Sequence, residues 1–435
     1  EGNEATQIQE GDFNEATINQ GVLDGEAYDN VATQSQPGDE NEATIDQGIE
    51  GGYAEGNEAT QTQEGDENSA LIEQGTYDAE AYDNFATQYQ EGDYNQATIE
   101  QGDNADAEAY DNIATQEQYG DYNEAVLQQG DEGGVAEGNE STQQQYGDYN
   151  EARIEQGDDE GEAYDNVITQ EQYGEENYAQ VDQGDQEGYA EGNEATQYQD
   201  GYSNDARAFQ GDIEGEAYDN VADQYQEGDE NEAVIEQGVE GGEAYDNIAE
   251  QEQYGDDNIA TIKQGVDGSS SAGSEAIQYQ EGDENDAFIF QAGEDNFADQ
   301  YQEGDYNLAD ARQYGDDNEA YQEQYGDYNE ATINQGSATN FVDGNLAEQY
   351  QEGDENFALT QQAGDFNTAY VSQTGDENEA IQQQIANNSE VYIEQIGNRN
   401  SAVQQQVGEL SADQIADLEN LDPFSLSRGD NQKAE

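Results

Sequence analysis

Small and polar residues, rather than bulky apolar ones, set the rhythm of this chain. In Asn14-Glu15-Ala16-Thr17-Ile18-Asn19-Gln20, positions i, i+2, i+4 and i+6 hold Asn, Ala, an apolar or amide residue, and Gln. The pattern recurs 32 times between Asn3 and Gln406, and the Gln at i+6 never varies. Ser replaces the Asn at Ser274 and Ser389, and Ser141, Ile168 and Val391 replace the Ala. A period of two over seven residues is that of a strand, with one face constant and the other free. Repetition this regular decides the fold before any other feature does.

The repeats follow one another at steps of 11 and 16 residues, as from Asn3 to Asn14 and from Asn14 to Asn30. After Asn285 most steps are 11. The short connection reads Gln-x-Gly-Asp-x-Asn, where Gly11 and Gly38 supply the positive φ of a tight reversal. The long connection opens with Gly directly after Gln, at Gly21 and Gly48, and often closes Glu-Ala-Tyr-Asp-Asn. Its five extra residues are expected to change a loop and leave the coil unaltered. Two arcs per turn predict an all-β, parallel β-solenoid of about 16 two-strand coils, about 75 Å long at one strand spacing per coil. Three regions follow: 1–295 with long turns, 296–406 with mostly short turns, and an acidic tail or cap at 407–435, where Val407 to Asn420 reads as a short amphipathic helix.

Stacked in register, each constant position becomes a column. Columns of Asn and Gln can pass hydrogen bonds from amide to amide, as in cross-β stacks. The expected ladder is Asn3, Gln9, Asn14, Ile18, Gln20, Asn30, Gln36, Asn41, Ile45, Gln47, Asn57 and Gln63, continuing upward. The i+4 position distinguishes two walls. One carries Gln (Gln7, Gln34, Gln61); the other is aliphatic (Ile18, Ile45, Ile72). This alternation lapses at Thr360 and Val371 for no reason visible in the sequence.

Composition then excludes much. With 107 Asp+Glu against 7 Lys+Arg, the net charge is −100, and nucleic acid is expected to be repelled. Such composition alone would suggest disorder, but disorder does not require a fixed Gln every 11 or 16 residues. Cys, Met, Trp and His are absent, which removes disulfides, thiol–metal sites and the usual nucleophile–base pairs, so no catalytic residue and no enzyme is expected. No apolar run approaches a membrane span. Acidic ladders about 5 Å apart repel, so assembly is expected to need salt, divalent cations or low pH. No cofactor is expected. Turns such as Gly11-Asp12-Phe13-Asn14 are read as turn formers with diffuse condensation of Ca²⁺ or other cations rather than discrete cages. An outward Thr column (Thr6, Thr33, Thr60) raises ice binding as a lesser reading. The pairs Tyr119 with Tyr122 and Tyr325 with Tyr328 suggest turn-edge stacking or surface adhesion.

These residues resemble the curlin repeat, Ser-x5-Gln-x-Gly-x-Gly-Asn-x-Ala-x3-Gln. Asn14 to Gln20 matches its second half. Asn3 to Gln9 with Gly11 matches its first, with Asn for Ser, and Ser274 and Ser389 restore the Ser. The resemblance implies secreted subunits of curli-type functional amyloid that join head to tail, with a nucleator subunit and outer-membrane secretion machinery as further partners. It also implies an extracellular, cell-surface fibre of biofilm matrix, adhesion and surface attachment, with an export signal removed in maturation. A capped, monomeric acidic solenoid that binds cations or ice is the alternative. The excess of coils, the 16-residue steps and the acidity depart from the family pattern.

Overall fold

The computed structural model describes residues 2–104, 107–131, 134–158 and 160–406. They form a parallel β-solenoid with no helix among them. The expected tail helix and cap at 407–435 lie outside the described residues.

One wall is a 16-stranded sheet, one strand from each coil, starting at Glu4–Glu10 and ending at Glu390–Ile396. Every pairing is parallel and in register, so Ala5 sits on Ala32, Gln7 on Gln34 and Gln9 on Gln36. The opposing wall stacks Ala16 on Ala43, Ile18 on Ile45 and Gln20 on Gln47. Alternation along each strand turns Ala, the i+4 residue and Gln inward and leaves Glu, Thr and Tyr outward. In the strand Phe85–Glu91, for instance, Ala86, Gln88 and Gln90 are buried while their neighbours are not.

The interior is thin and half polar. Ile45, Ile72, Ile99, Leu127 and Ile154 form one continuous apolar column, packed against Ala32, Ala59, Ala86 and Ala114 of the facing wall. Beside it runs the Gln column of the other wall, buried from Gln34 onward. Ala at i+2 lets the walls approach closely enough for Gln34 Nε2 to donate across the interior to the carbonyl of Thr17, at 2.8 Å.

The lapse of alternation has a structural explanation. At Thr360 and Val371 the two columns exchange walls. Aliphatic fill passes from Ile333 to Val371 and Ile393 on the wall that had carried Gln, and these pack with Ala358 and Ala380 as a separate cluster. Gln382 takes over the amide role opposite, donating to the carbonyl of Tyr370 at 2.7 Å. Thr360 sits at the crossover, where its hydroxyl accepts from Gln349 Nε2 at 3.1 Å. A β-branched residue with an oxygen suits both environments.

The long connection is more than a loop, contrary to expectation. Among the described residues it contributes ten three-residue strands, from Glu26–Tyr28 to Ser270–Ala272, stacked in register as a third strip. The first coils are therefore three-sided, with Ala27, Ala54 and Ala81 as the buried centre of the new side. The strip ends where the nine-residue strand Asp286–Glu294 takes over. Its start pairs with the aliphatic wall and its end caps Ser271–Ala272.

Because each Gln serves two neighbours, a single loss should propagate. Gln116 accepts from Gln88 and donates to Gln143 and to the carbonyl of Thr98. Gln116→Leu leaves the Gln143 oxygen without its ladder donor and is expected to cost about 1–3 kcal/mol per stranded group. Chemical denaturation should show a lower midpoint. An unchanged midpoint would mean that the amide column contributes nothing net.

Candidate functional site: amide ladders and the acidic edge

The predicted ladder residues fall on continuous columns. Asn30, Gln36, Asn41, Ile45, Gln47, Asn57 and Gln63 are buried, whereas Asn3, Asn14, Ile18 and Gln20 are half-buried and Gln9 is exposed because they belong to the first coil. Gln amides donate forward, each Nε2 to the Oε1 one coil on: Gln9 to Gln36 at 2.9 Å, Gln36 to Gln63 at 2.9 Å, Gln20 to Gln47 and Gln47 to Gln74 at 2.8 Å. Asn oxygens run the other way. Asn30 N–H donates back to Asn3 Oδ1 at 3.0 Å, Asn57 N–H to Asn30 Oδ1 at 2.8 Å, and Asn41 N–H to Asn14 Oδ1 at 2.9 Å. The Asn amide then reaches forward to a turn carbonyl, as Asn41 Nδ2 to Gly65 O at 2.7 Å. Buried amides along these columns thus meet partners above and below, as Gln36 and Gln47 do; Gln382, past the exchange of columns, keeps an unmet oxygen.

The turn glycines sit where expected, Gly11 and Gly38 in short turns, Gly21 and Gly48 at the start of long ones. A Cβ on Gly11 would lie 2.0 Å from the carbonyl oxygen of Gly38, and one on Gly48 would lie 2.2 Å from that of Glu26. Stacked backbones leave no space for a side chain there. The residue between Asp and Asn also takes positive φ, including Phe13 at 64°, which the sequence does not signal because Glu, Tyr, Phe and Asp all occur there. The turn Asp forms a ladder of its own. Asp12 N–H donates to Asp39 Oδ1 at 2.6 Å and Asp39 N–H to Asp66 Oδ1 at 2.8 Å, so these carboxylates already serve as backbone acceptors.

The tyrosine pairs are arranged differently from the expectation. Tyr119 and Tyr122 belong to separate columns that stack between coils. Tyr119 lies against Tyr89 and Tyr146, and Tyr122 against Tyr94 and Tyr149. Tyr325 and Tyr328 divide in the same way, onto Tyr301 and Tyr306. The first column continues through Tyr173, Tyr198, Tyr225, Tyr254 and Tyr279 to Tyr350, ring on ring. The third strip carries another, Tyr28 to Tyr53 to Tyr82 to Tyr110.

The sequence reading also missed an acidic edge. Where the aliphatic wall meets the long turn, Glu73, Glu100, Glu155 and Asp182 at i+5 face Asp103, Asp131, Asp158, Asp185 and Asp212, each two residues after a ladder Gln. The third strip covers this corner, so most of these carboxylates are buried; Asp103 is 4% exposed and Asp182 3%. Burial, and secondarily the neighbouring carboxylates, pushes Glu73 and Glu100 up to about 8 and Asp103 and Asp212 up to about 7. The same causes raise Asp182 well above the ordinary range. An i+5 position looks outward by strand alternation. Only knowledge that the long turn folds back as a strand would have shown that it is covered.

Fold and columns together define a class: a parallel β-solenoid of short repeats held by in-register amide ladders. Two segments of the chain, residues 304–336 and 353–385, match the family model for the Curlin associated repeat. Both segments lie where the 11-residue step runs uninterrupted by a long turn. No curated protein matched the chain.

Away from the acidic edge, carboxylates are displaced upward too. Burial first, then a neighbouring acid, raises Asp223, Asp286, Asp299 and Glu330. A carboxyl raised in the folded state binds protons more tightly there than in the unfolded chain. The resulting stabilisation is full below the unfolded pKa and is lost as pH rises through the folded one. Each excess proton is worth about 1.4 kcal/mol per pH unit. In cation-free buffer of low ionic strength, the melting temperature should rise as pH falls from neutral towards about 5. A flat or opposite trend would contradict the burial of these groups.

Proposed function

We propose that this protein is a structural subunit that stacks head to tail into an extracellular curli-type fibre, serving adhesion and surface attachment in a biofilm matrix. The observation that carries this reading is the first rung. The strand Glu4–Glu10 is exposed along its whole length, pairs on one side only among the described residues, and leaves Ile8 53% exposed. An open strand edge is a template for another chain, and a head-to-tail contact that does not close makes a filament. Ladder polarity favours one mode of joining. Gln7, Gln9 and Gln20 donate forward and leave their acceptor oxygens at the tip, and the same order holds in the last described coils, where Gln373 donates to Gln395, so head-to-tail stacking would continue it. Head-to-head stacking would oppose like groups.

A structural role agrees with the chemistry of the chain, which offers amides and carboxylates but neither His nor Cys. A nucleator subunit and outer-membrane secretion machinery are the further partners this reading carries. Charge sets the conditions: at −100 over about 75 Å, subunits meeting end to end need screening by salt or divalent cations, or partial protonation.

Glu4 donates its N–H inward to the carbonyl of Asn30, so alternation turns the N–H of Ala5 to the open edge. Ala5→Pro deletes that donor and places a ring on the growing face. Electron microscopy and light scattering in high salt should show long fibres for the parent protein. The variant should elongate at least about tenfold more slowly with little change in melting. Discrete rods from the parent protein under all salt and pH conditions would refute the fibre subunit. Equal growth of the variant would place the joint elsewhere.

A further inference from the structure

Two groups of carboxylates on the acidic edge bring one oxygen from each of three residues to within 4.8 Å of one another: Glu73 with Glu100 and Asp103, and Glu155 with Asp182 and Asp185. The first straddles two coils. Glu73 comes from the lower strand, in register beneath Glu100, while Asp103 follows Glu100 across the turn. Thr76 holds the turn position equivalent to Asp103 one coil below, and its N–H donates to the carbonyl of Gly102.

Acids in a group are not by themselves a site, but this group has unmet oxygens. Asp103 Oδ1 and Thr76 Oγ1 are both buried and have no hydrogen-bond partner among the described residues. Burial first, then Asp103, Glu100, Asp46 and Asp131, opposes charge on Glu73. A buried oxygen without a donor is a cost that native structures rarely leave unexplained. No lysine or arginine among the described residues offsets this group, and Asp46 below, Asp131 above and the Tyr77 phenol add only acids.

Other coils fill the corresponding space with nitrogen. One coil up, Gln128 replaces the carboxylate, and its Nε2 donates to Glu100 Oε2 at 2.7 Å and to Asp131 Oδ2 at 3.1 Å. Farther along, Lys263 Nζ lies 2.6 Å from Glu236. In the second group, Arg153 bonds Glu155 and offsets one of three charges, while Asp182 Oδ1 stays unmet. The position therefore calls for a donor nitrogen or a cation, and at the Glu73 level none of the described residues supplies one.

We propose that Glu73, Thr76, Glu100 and Asp103 form a binding site for a divalent cation of the calcium class, clamping two successive coils at the covered edge. The donor set selects the ion: Ca²⁺ takes several protein carboxylate oxygens in a flexible cage, whereas Mg²⁺ keeps most of its waters and is held by one or two carboxylates. The ligands are all oxygens and mostly anionic, as Ca²⁺ requires. The second group is a weaker copy of the same construction. The site is distinct from the short-turn aspartates, whose Oδ1 atoms are already held by backbone N–H groups.

Calcium chloride titrated into chelator-stripped protein in about 0.5 M potassium chloride separates a built site from loosely condensed ions, because the screening length there is only about 4 Å. Calorimetry should show a saturable component at least tenfold weaker for magnesium. Glu100→Gln installs the residue that the next coil carries at Gln128, so the fold has already accommodated it. This variant should weaken one saturable component at least tenfold, and in chelator it should melt no lower than the parent protein. Asp103→Asn should reproduce the loss, and exposed Glu10→Gln should bind as the parent does. The proposal is overturned if no saturable component appears, if Glu100→Gln and Asp103→Asn bind calcium as the parent protein does, or if magnesium binds equally well.

Discussion

A single demand governs this molecule: an amide placed inside a thin, water-free interior must be bonded both above and below. Buried without partners, each such group would cost on the order of 1–3 kcal/mol. Exact repetition removes the cost, since a Gln over a Gln finds its acceptor at about 2.9 Å coil after coil. Register, coil length and the invariance of Gln at i+6 all follow. A Leu at the same place would need no partner and so would not require repetition. Here the repeat is strict because its interior is polar.

How far the sequence reveals this follows from what each residue type can do. Asn, Ala and Gln at a spacing of two can form only one kind of interior, so the two walls and their ladders were legible, down to the inward side of Ile45 and Gln47. The third strip was not. Glu-Ala-Tyr is too short for a period to show, and its buried Ala81 looks like any loop alanine until neighbouring coils are stacked upon it. The acidic edge was hidden for the same reason, because Asp182 turns from exposed to covered only once that strip exists. Tyr119 and Tyr122 were misread as a pair because nearness in sequence says little in a fold whose real neighbours lie 22 to 28 residues away. The lapse at Thr360 was visible in the sequence but uninterpretable there, since its meaning lies in the facing wall.

The charge distribution follows the same geometry. Stacking in register gathers each outward acid into a file of like acids, and the fold answers this unevenly. Tyr hydroxyls bond to Glu on exposed faces, as Tyr82 to Glu80 at 3.1 Å and Tyr225 to Glu227 at 3.1 Å. Turn carboxylates accept backbone N–H groups, and the few cations among the described residues stand beside acids, as Arg312 beside Asp310 and Arg399 beside Glu377. The other acids either face water or lie buried on the acidic edge, as Asp103 and Asp182 do. Stability in such a protein is tied to its ionic surroundings to a degree that an apolar core would not impose.

The exchange of columns between walls at Thr360 and Val371 bears on a hazard common to repetitive chains. A stack of near-identical rungs can mispair by a whole repeat with little penalty, since every rung resembles the next. Past the exchange, a frame shifted by one coil would lay Val371 over Gln322, setting hydrocarbon on an amide that in the correct frame donates to Gln349. The crossover acts as an index mark, giving an otherwise translationally degenerate stack one correct alignment of its last turns.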